Sequence, residues 1–212
     1  MELVIVPVAH VSKKSVEKVR ETVLNEKPDA IAVELCEARL HAMLAKKTSF
    51  RGNDAVRNPL YFIFYLIQRM LGEIFRVKPG SEMFEAVKLA SELQIPLYLV
   101  DRDINRTMQR LNTISIKEKL MLVFQSPFSI PFFIFKMPRN LEELMARQNI
   151  ERIMEEFKAR FPSFYRVLVE ERDAHMAARV SEISAEKVVL VVGAGHVKGI
   201  ASLMGDVLVR VA

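Results

Sequence analysis

Five short runs of apolar, mostly branched residues are spaced along the chain and separated by helical patterns. The runs cover residues 3–8, 30–33, 97–100, 188–192 and 207–211. Runs that are apolar throughout, without polar alternation, are typical of parallel strands buried on both faces. The pattern therefore predicts an α/β fold, with a mostly parallel central sheet covered by helices.

The segments between these runs have helical spacing and recognisable caps. Ser12 and Ser81 are predicted N-caps, and Ser115 with Glu118 forms a capping-box pattern. Residues 59–75 are apolar almost all round, which predicts an apolar helix. The long helical stretch at about 104–184 predicts a helical lobe inserted between the third and fourth strands. We expect residues 1–212 to form a single domain.

Composition restricts the class of protein further. Half of the 212 residues are hydrophobic and 27% are charged, which excludes a disordered chain. Cys36 is the only cysteine, so a disulfide scaffold is excluded and a reducing compartment is indicated. No leader pattern and no apolar window of about 20 residues occurs, so we expect a cytoplasmic protein.

The basic excess does not indicate a nucleic-acid partner. There are 31 lysines and arginines against 26 acidic residues, a net charge of +5. These basic residues are scattered and form no tract or stripe of the kind that binds phosphate backbones. We therefore expect no nucleic-acid binding.

Polar residues follow four of the predicted strands at the point where each ends. His10, Glu34, Arg102 and His196 all stand just past a strand. In an open parallel sheet, ligands bind outside the carboxyl ends of the strands. Imidazoles and carboxylates together make a nitrogen–oxygen site for a divalent metal, which can activate water. The alternative is structural: His10 as a packing residue and Glu34 paired with Arg39.

Glycines surround the last of these histidines. Gly193, Gly195 and Gly199 have the wrong spacing for a dinucleotide loop, and no second βαβ unit can follow. We expect Gly193 and Gly195 to let the backbone approach a ligand closely, with phosphate as one possible ligand.

One further histidine stands close to charged residues on a predicted helix. Glu171, His175 and Arg179 are spaced four residues apart, so their side chains share one face of the helix. This spacing suits either metal ligands or an exposed ladder of charges, and we favour the ladder.

Several short motifs together resemble the TraB/PrgY pheromone-shutdown family, whose wider relatives include the Tiki proteases. They occur in family order over nearly the whole chain: Ala9-His10-Val11-Ser12, Lys27-Pro28-Asp29, Val33-Glu34-Leu35-Cys36, Pro79-Gly80-Ser81-Glu82-Met83, Asp101-Arg102-Asp103-Ile104, Glu171-Arg172-Asp173 and Val192-Gly193-Ala194-Gly195-His196. Of the family's two G-x-x-H motifs the second is intact, whereas the first has Pro7 in place of glycine.

The resemblance implies a set of site residues and a chemistry. The residues are His10, Glu34, Glu82, Arg102, Glu171, Arg172 and His196, with His10, Glu34 and His196 as metal ligands. The Tiki branch implies metal-dependent hydrolysis of peptides, with manganese or cobalt as the metal. The pheromone-shutdown branch implies cleavage or capture of a small peptide. Longer family members carry membrane segments, so a longer form of this chain is expected to be membrane-associated.

Two other functions stay open from the sequence. The apolar segments 62–71 and 128–135 suit a groove that captures peptides without cleaving them. The same segments suit a homo-oligomeric or membrane-surface scaffold. We rank hydrolysis of peptides ahead of both.

Overall fold

The structure is a computed structural model, and it describes residues 1–8, 13–45, 80–121 and 147–212. Its sheet has five parallel strands, in the order β3-β2-β4-β1-β5. The strands are β1 (Glu2–Val8), β2 (Ala30–Val33), β3 (Leu97–Leu99), β4 (Lys187–Gly193) and β5 (Leu208–Val211). The predicted α/β fold with a parallel sheet is confirmed, and each predicted strand is present to within one residue at each end.

Helices separate the strands along the chain. Within the described residues they include α1 (Lys13–Glu26), α2 (Glu37–Leu44), α3 (Ser81–Leu93), α4 (Ile104–Asn112), α5 (Arg147–Arg160), α6 (Pro162–Tyr165), α7 (Glu171–Ser181) and α8 (Val197–Leu203). Residues 116–121 are also helical. A π-helical turn, Arg166–Glu170, joins α6 to α7, and a 3-10 turn, Ala194–His196, joins β4 to α8.

The sheet has an apolar layer on each face. Alternate β1 residues point to opposite faces, so Leu3 and Ile5 pack with α7 and α8, whereas Val4 and Val6 pack with α1 and α3. The central strands are buried on both sides, which is why they read as continuous apolar runs.

The register brings the ends of the two central strands together. Val8 of β1 lies beside Gly193 of β4, and Val33 of β2 lies beside Val191. Because α3 and α7 each lead into a parallel strand, their first turns lie at the carboxyl edge of the sheet. The partial positive charge of these helix ends favours acidic side chains at that edge.

The described residues between β3 and β4 are mostly helical, and the predicted inserted lobe stays a prediction. Part of the block forms its own apolar cluster around Leu111 and Phe164, and α7 packs directly on the sheet. The predicted apolar helix at 59–75 lies outside the described residues, as does the predicted cap Ser12.

Two predicted caps differ from the structure in detail. Gly80, with φ of +88°, is the N-cap of α3, and Ser81 is the first residue of the helix. Ser115 accepts a hydrogen bond from the backbone N–H of Glu118, as a capping box requires. The Glu118 carboxylate instead accepts the N–H groups of Ser163 and Phe164, so it caps α6.

Among the helices within the described ranges, none has the length and apolar character that crossing a bilayer requires. The apolar segments 62–71 and 128–135, on which the groove and scaffold hypotheses depend, lie outside those ranges.

Candidate functional site

The carboxylate of Glu34 is held at the centre of the carboxyl edge. Glu34 directly follows β2 and is 4% exposed. Its Oε2 accepts the backbone N–H of Gly193 at 2.7 Å, and its Oε1 accepts a hydrogen bond from Nη2 of Arg172. The ends of β2 and β4 are thereby linked through one side chain.

Arg172, near the start of α7, connects the strand ends to one another. Its Nε and Nη2 donate to the carboxylate of Asp101, just past β3, at 3.0 and 2.9 Å. Its Nη1 donates to the carbonyl of Leu168 at 3.2 Å. Burial by itself would lower the pKa of Arg172, but attraction to Glu34 and Asp101 outweighs it and raises that pKa, so this guanidinium stays charged.

His196 is oriented by a buried carboxylate. Nδ1 of His196 lies 2.6 Å from Oδ1 of Asp173, and Nε2 lies 3.0 Å from Nη1 of Arg172. Because an arginine can only donate, Nε2 is the acceptor and the proton is on Nδ1, which donates to Asp173. Nε2 also lies 3.6 Å from Oε1 of Glu34. The lone pair of Nε2 therefore accepts from Arg172, and the Glu34 carboxylate lies beside that contact.

Among the described residues, this buried group contains three carboxylates and two arginines that contact them. Glu34, Asp101 and Asp173 are each at most 9% exposed, and Arg172 is the guanidinium that contacts the first two. Arg39 adds a partly exposed contact, 3.3 Å from Asp101. Burial raises the pKa of Asp173, and its hydrogen bond to His196 opposes that rise.

A second ion cluster lies beside the first and centres on Glu171. Arg110 donates to Glu171 at 2.5 Å and Arg102 donates to it at 2.8 Å. The hydrogen bonds from Arg110, and then those from Arg102, hold the pKa of Glu171 at about 2, against the opposing effect of burial. Glu171 is therefore an anion at neutral pH.

Arg102 is buried, and its guanidinium is engaged by the protein. It donates to Thr107 at 2.9 Å and to the carbonyl of Val167 at 2.5 Å, besides Glu171. All three of its nitrogens are therefore committed within the described residues. This geometry suits a residue that positions α7 against α4.

The π-helical turn explains how two arginines reach backbone carbonyls. The N–H of Glu171 bonds to the carbonyl of Arg166, five residues earlier. Within this widened turn, the carbonyls of Val167 and Leu168 accept hydrogen bonds from Arg102 and Arg172. The turn thus sets the direction in which Glu171, Arg172 and Asp173 leave the helix, as π-helical turns often do at functional sites.

Glu82 lies in the first turn of α3 and is fully buried. Its Oε1 makes no hydrogen bond, and its Oε2 has only the Ser81 hydroxyl at 3.5 Å, among the residues that the structure describes. The topology places it at the carboxyl edge, but it does not bond to the Arg172 group. An unpaired buried carboxylate oxygen is costly and fits a ligand or a further protein group.

The glycines around His196 allow close packing inside the protein. The Gly193 N–H is taken by Glu34. A Cβ at Gly195 would lie 3.1 Å from the sulfur of Met154, and one at Gly199 would lie 1.9 Å from Oδ2 of Asp173. Gly199 therefore provides the space that Asp173 needs to reach His196. That Gly193 and Gly195 bind a cofactor stays a prediction.

The structure brings together part of the predicted site. Glu34, Arg172 and His196 share one network, and Arg102 with Glu171 forms the neighbouring one. His10, the predicted third metal ligand, lies outside the described residues. Within the described ranges, no group of three or more His, Cys, Asp or Glu side chains is arranged to hold a metal ion.

Sequence reasoning did not select two residues that the network depends on. Asp101 stood at a strand end and Asp173 stood inside a family motif, and those were the signals that pointed to them. The favoured ladder of Glu171, His175 and Arg179 is wrong, because Glu171 contacts Arg102 and Arg110 while Arg179 contacts Glu182. Arg39 reaches the Glu34 backbone carbonyl and Asp101, not the Glu34 carboxylate.

The amino-acid sequence is similar to a known protein family and to several known proteins. The model of the TraB/PrgY/gumN family matches residues 2–206. An uncharacterized protein of Methanocaldococcus jannaschii is 38% identical over 209 residues, covering 94% of this chain and 52% of that protein. TraB domain-containing proteins of Bos taurus and Homo sapiens are 28% and 26% identical, covering 92% of this chain and 60% and 61% of their own lengths. The chain thus spans little more than half the length of these relatives.

Proposed function

Because the chain belongs to the TraB/PrgY/gumN family, we propose that it is a metal-dependent hydrolase acting on peptides, with its site at the carboxyl ends of the parallel strands. One observation carries the proposal: Asp173 binds Nδ1 of His196, and Nε2 lies 3.6 Å from Oε1 of Glu34. Histidines that bind metals typically donate their other ring N–H to a carboxylate in this way. The proposed ligands are His10, Glu34 and His196, and the proposed metal is manganese or cobalt.

The spacing of the two described donors fits a shared metal ion. Two ligand atoms about 2.1 Å from a tetrahedral metal lie about 3.4 Å apart. Oε1 of Glu34 and Nε2 of His196 lie 3.6 Å apart. Arg172 now places a positive charge beside both atoms, 3.0 Å from Nε2, so it would have to withdraw when a cation binds.

The strand register supports His10 as the third ligand. Val8 lies beside Gly193 in neighbouring parallel strands. In the sequence, His10 follows Val8 by two residues and His196 follows Gly193 by three, so both are proposed to lie near this pair of strand ends. The donor set would then consist of two imidazoles and one carboxylate, which suits a divalent transition metal.

In this proposal, the protein's own residues position the metal ligands. A bound metal would polarise the peptide carbonyl and lower the pKa of a bound water. Asp173 keeps the proton of His196 on Nδ1, and the Gly193 N–H fixes the second oxygen of Glu34. Glu171 and Arg102 hold α7 in place, and Glu82 contributes a buried carboxylate whose Oε1 accepts no hydrogen bond from the described residues.

Metal binding and peptide turnover test the proposal together. Calorimetry with Mn²⁺ and Co²⁺, and mass spectrometry of a library of unstructured peptides, are run on the protein and on His10→Ala and His196→Ala. We expect micromolar metal binding and turnover that both variants reduce at least about 100-fold. His175→Ala is the matched control, because His175 lies on α7 outside the hydrogen-bond network that holds His196.

Three outcomes would count against hydrolysis. The first is a protein that binds no metal ion, the second is peptide turnover that survives both histidine substitutions, and the third is peptide binding without turnover. Peptide binding without turnover would favour capture, the second function open from the sequence. The predicted cytoplasmic location, oligomerisation and relationship to Tiki proteases stay predictions.

A further inference from the structure

A cavity of about 1040 Å³ lies above the carboxyl ends of β1 and β5, directly against the site. Asp173 and Gly195 form the wall that it shares with the His196 network. Its volume is at the upper end of the range for small-molecule sites, so it can hold several residues of an extended chain.

The walls are apolar and the rim carries both signs of charge. Ile150, Met154 and Val197 contribute apolar surface, whereas Lys18 and Lys198 face a rim that also contains Glu155 and Glu170. A purely anionic or purely cationic ligand would meet like charges at such a rim. A peptide with free ends carries both signs along an apolar body, and it matches this lining.

The strand β5 ends at the cavity. Val211 and Ala212 line the cavity, and within the described residues β5 pairs only with β1. The N–H of Ala212 donates to the carbonyl of Ile5, toward β1. Because alternate residues of a strand direct their polar groups to opposite edges, Val209 and Val211 direct theirs outward.

Apolar side chains are exposed on this edge strand. Leu208 is 62% exposed and Val211 is 45% exposed, and both are apolar. Natural proteins usually cover or charge such an edge, because it can pair with another chain. A strand added there would receive backbone hydrogen bonds, and beyond Val211 it would continue toward the cavity that Val211 and Ala212 line.

We propose that an extended peptide binds by adding a strand to the outer edge of β5 and placing its side chains in this cavity. The inference rests on the proposed function, because it gives the peptide substrate its binding mode. It also adds a subsite that the metal ligands do not define. Val209 and Val211 supply the backbone groups, and the apolar walls select the side chains.

The test uses uncapped six-residue peptides in which leucine alternates with alanine, lysine or glutamate, titrated with a chelator present. Binding is followed by calorimetry, and hydrogen exchange is followed at the amides of Val209 and Val211. We expect binding that slows exchange at both amides. Methylating alternate backbone nitrogens of the peptide, with the side chains unchanged, should weaken binding at least about tenfold.

A matched pair of variants tests the cavity. Ala174→Phe places a ring in the cavity from an exposed position on α7 and should weaken binding at least about tenfold. Ala178→Phe, one turn further along the same exposed side, should leave binding unchanged. Thermal unfolding of both variants checks that each one folds.

The possible outcomes separate this inference from the proposed function. Peptide binding without cleavage in the presence of metal would support the inference and contradict hydrolysis. Cleavage at an unchanged rate after Ala174→Phe and after backbone methylation would support hydrolysis and overturn the inference. The inference is also overturned if the protein binds decanoate but none of the peptides, or if peptide binding does not slow hydrogen exchange at the β5 amides.

Discussion

Oδ1 of Asp173 lies 2.6 Å from Nδ1 of His196, and both side chains are at least nine-tenths buried. The two residues come from different elements, α7 and the turn after β4. Their contact determines which imidazole nitrogen carries the proton, and hence which nitrogen is available to a metal or a substrate. Several consequences of this geometry can be measured.

Asp173→Asn should weaken metal binding about 10- to 100-fold, because a neutral amide orients and polarises the imidazole less than a carboxylate does. The free energy of unfolding should change by less than about 1 kcal/mol, because asparagine keeps an oxygen acceptor and removes a buried charge. Metal titration and urea unfolding measure the two effects. Asp206→Asn, at an exposed position, is the control, and equal metal affinity in the two variants would refute the prediction.

Gly199→Ala should destabilise the protein by about 1–3 kcal/mol and also weaken metal binding. The added Cβ would lie 1.9 Å from Oδ2 of Asp173, so the carboxylate that orients His196 must move. Gly195→Ala should cost less, because its new contact is the flexible end of Met154. Chemical unfolding of both variants gives the comparison, and the reverse order of the two effects would contradict this account.

Arg172→Ala should reduce the free energy of unfolding by about 3–5 kcal/mol, because Glu34 and Asp101 lose a buried partner. Arg172→Lys should recover only part of this loss, since an ammonium cannot reproduce the forked contact. Arg179→Ala removes an exposed pair with Glu182 and should cost at most about 1 kcal/mol. A loss from Arg172→Ala no larger than the control would show that the buried network does not stabilise the fold.

The pKa of Glu171 gives a pH dependence with a definite sign. In the folded protein this pKa is about 2, below the ordinary 4.5, chiefly because of the hydrogen bond from Arg110. A lowered carboxyl pKa gives stability that is fully present above about pH 4.5 and is lost as the pH falls toward 2.

Comparison with Glu171→Gln isolates this contribution. The difference in unfolding free energy between the protein and the variant should be largest above pH 4.5 and should shrink toward pH 2. Urea unfolding at a series of pH values, with Glu182→Gln as an exposed control, measures it. A difference that does not vary with pH would rule out the charge of Glu171 as the cause.

Much of the fold could be predicted from local patterns. Runs such as 188–192 are apolar throughout because β4 is covered on both faces, and the sequence shows this burial directly. The same patterns place Glu34 and His196 just past strand ends, where the site lies. They do not show the cap of α3, where Gly80 takes a positive φ.

The partners within the site could not be predicted in the same way. Glu171 and Arg179 had helical spacing for a ladder, but arginines from α4 and from the end of β3 compete for Glu171 and bind it more closely. Contacts between neighbouring elements outweigh contacts within an exposed helix face, because partial burial strengthens the ion pairs. Asp101 and Asp173 acquire their roles only through these contacts.

The sequence by itself determined the buried strands, the helices between them and the edge at which the polar residues collect, because each depends on a periodic pattern within a few residues. The tertiary structure decided which polar groups pair. Arg172 binds Glu34 across 138 positions and Asp101 across 71, and Asp173 meets His196 across 23. These pairings depend on the strand order and on how α7 packs over the sheet, which no local pattern contains.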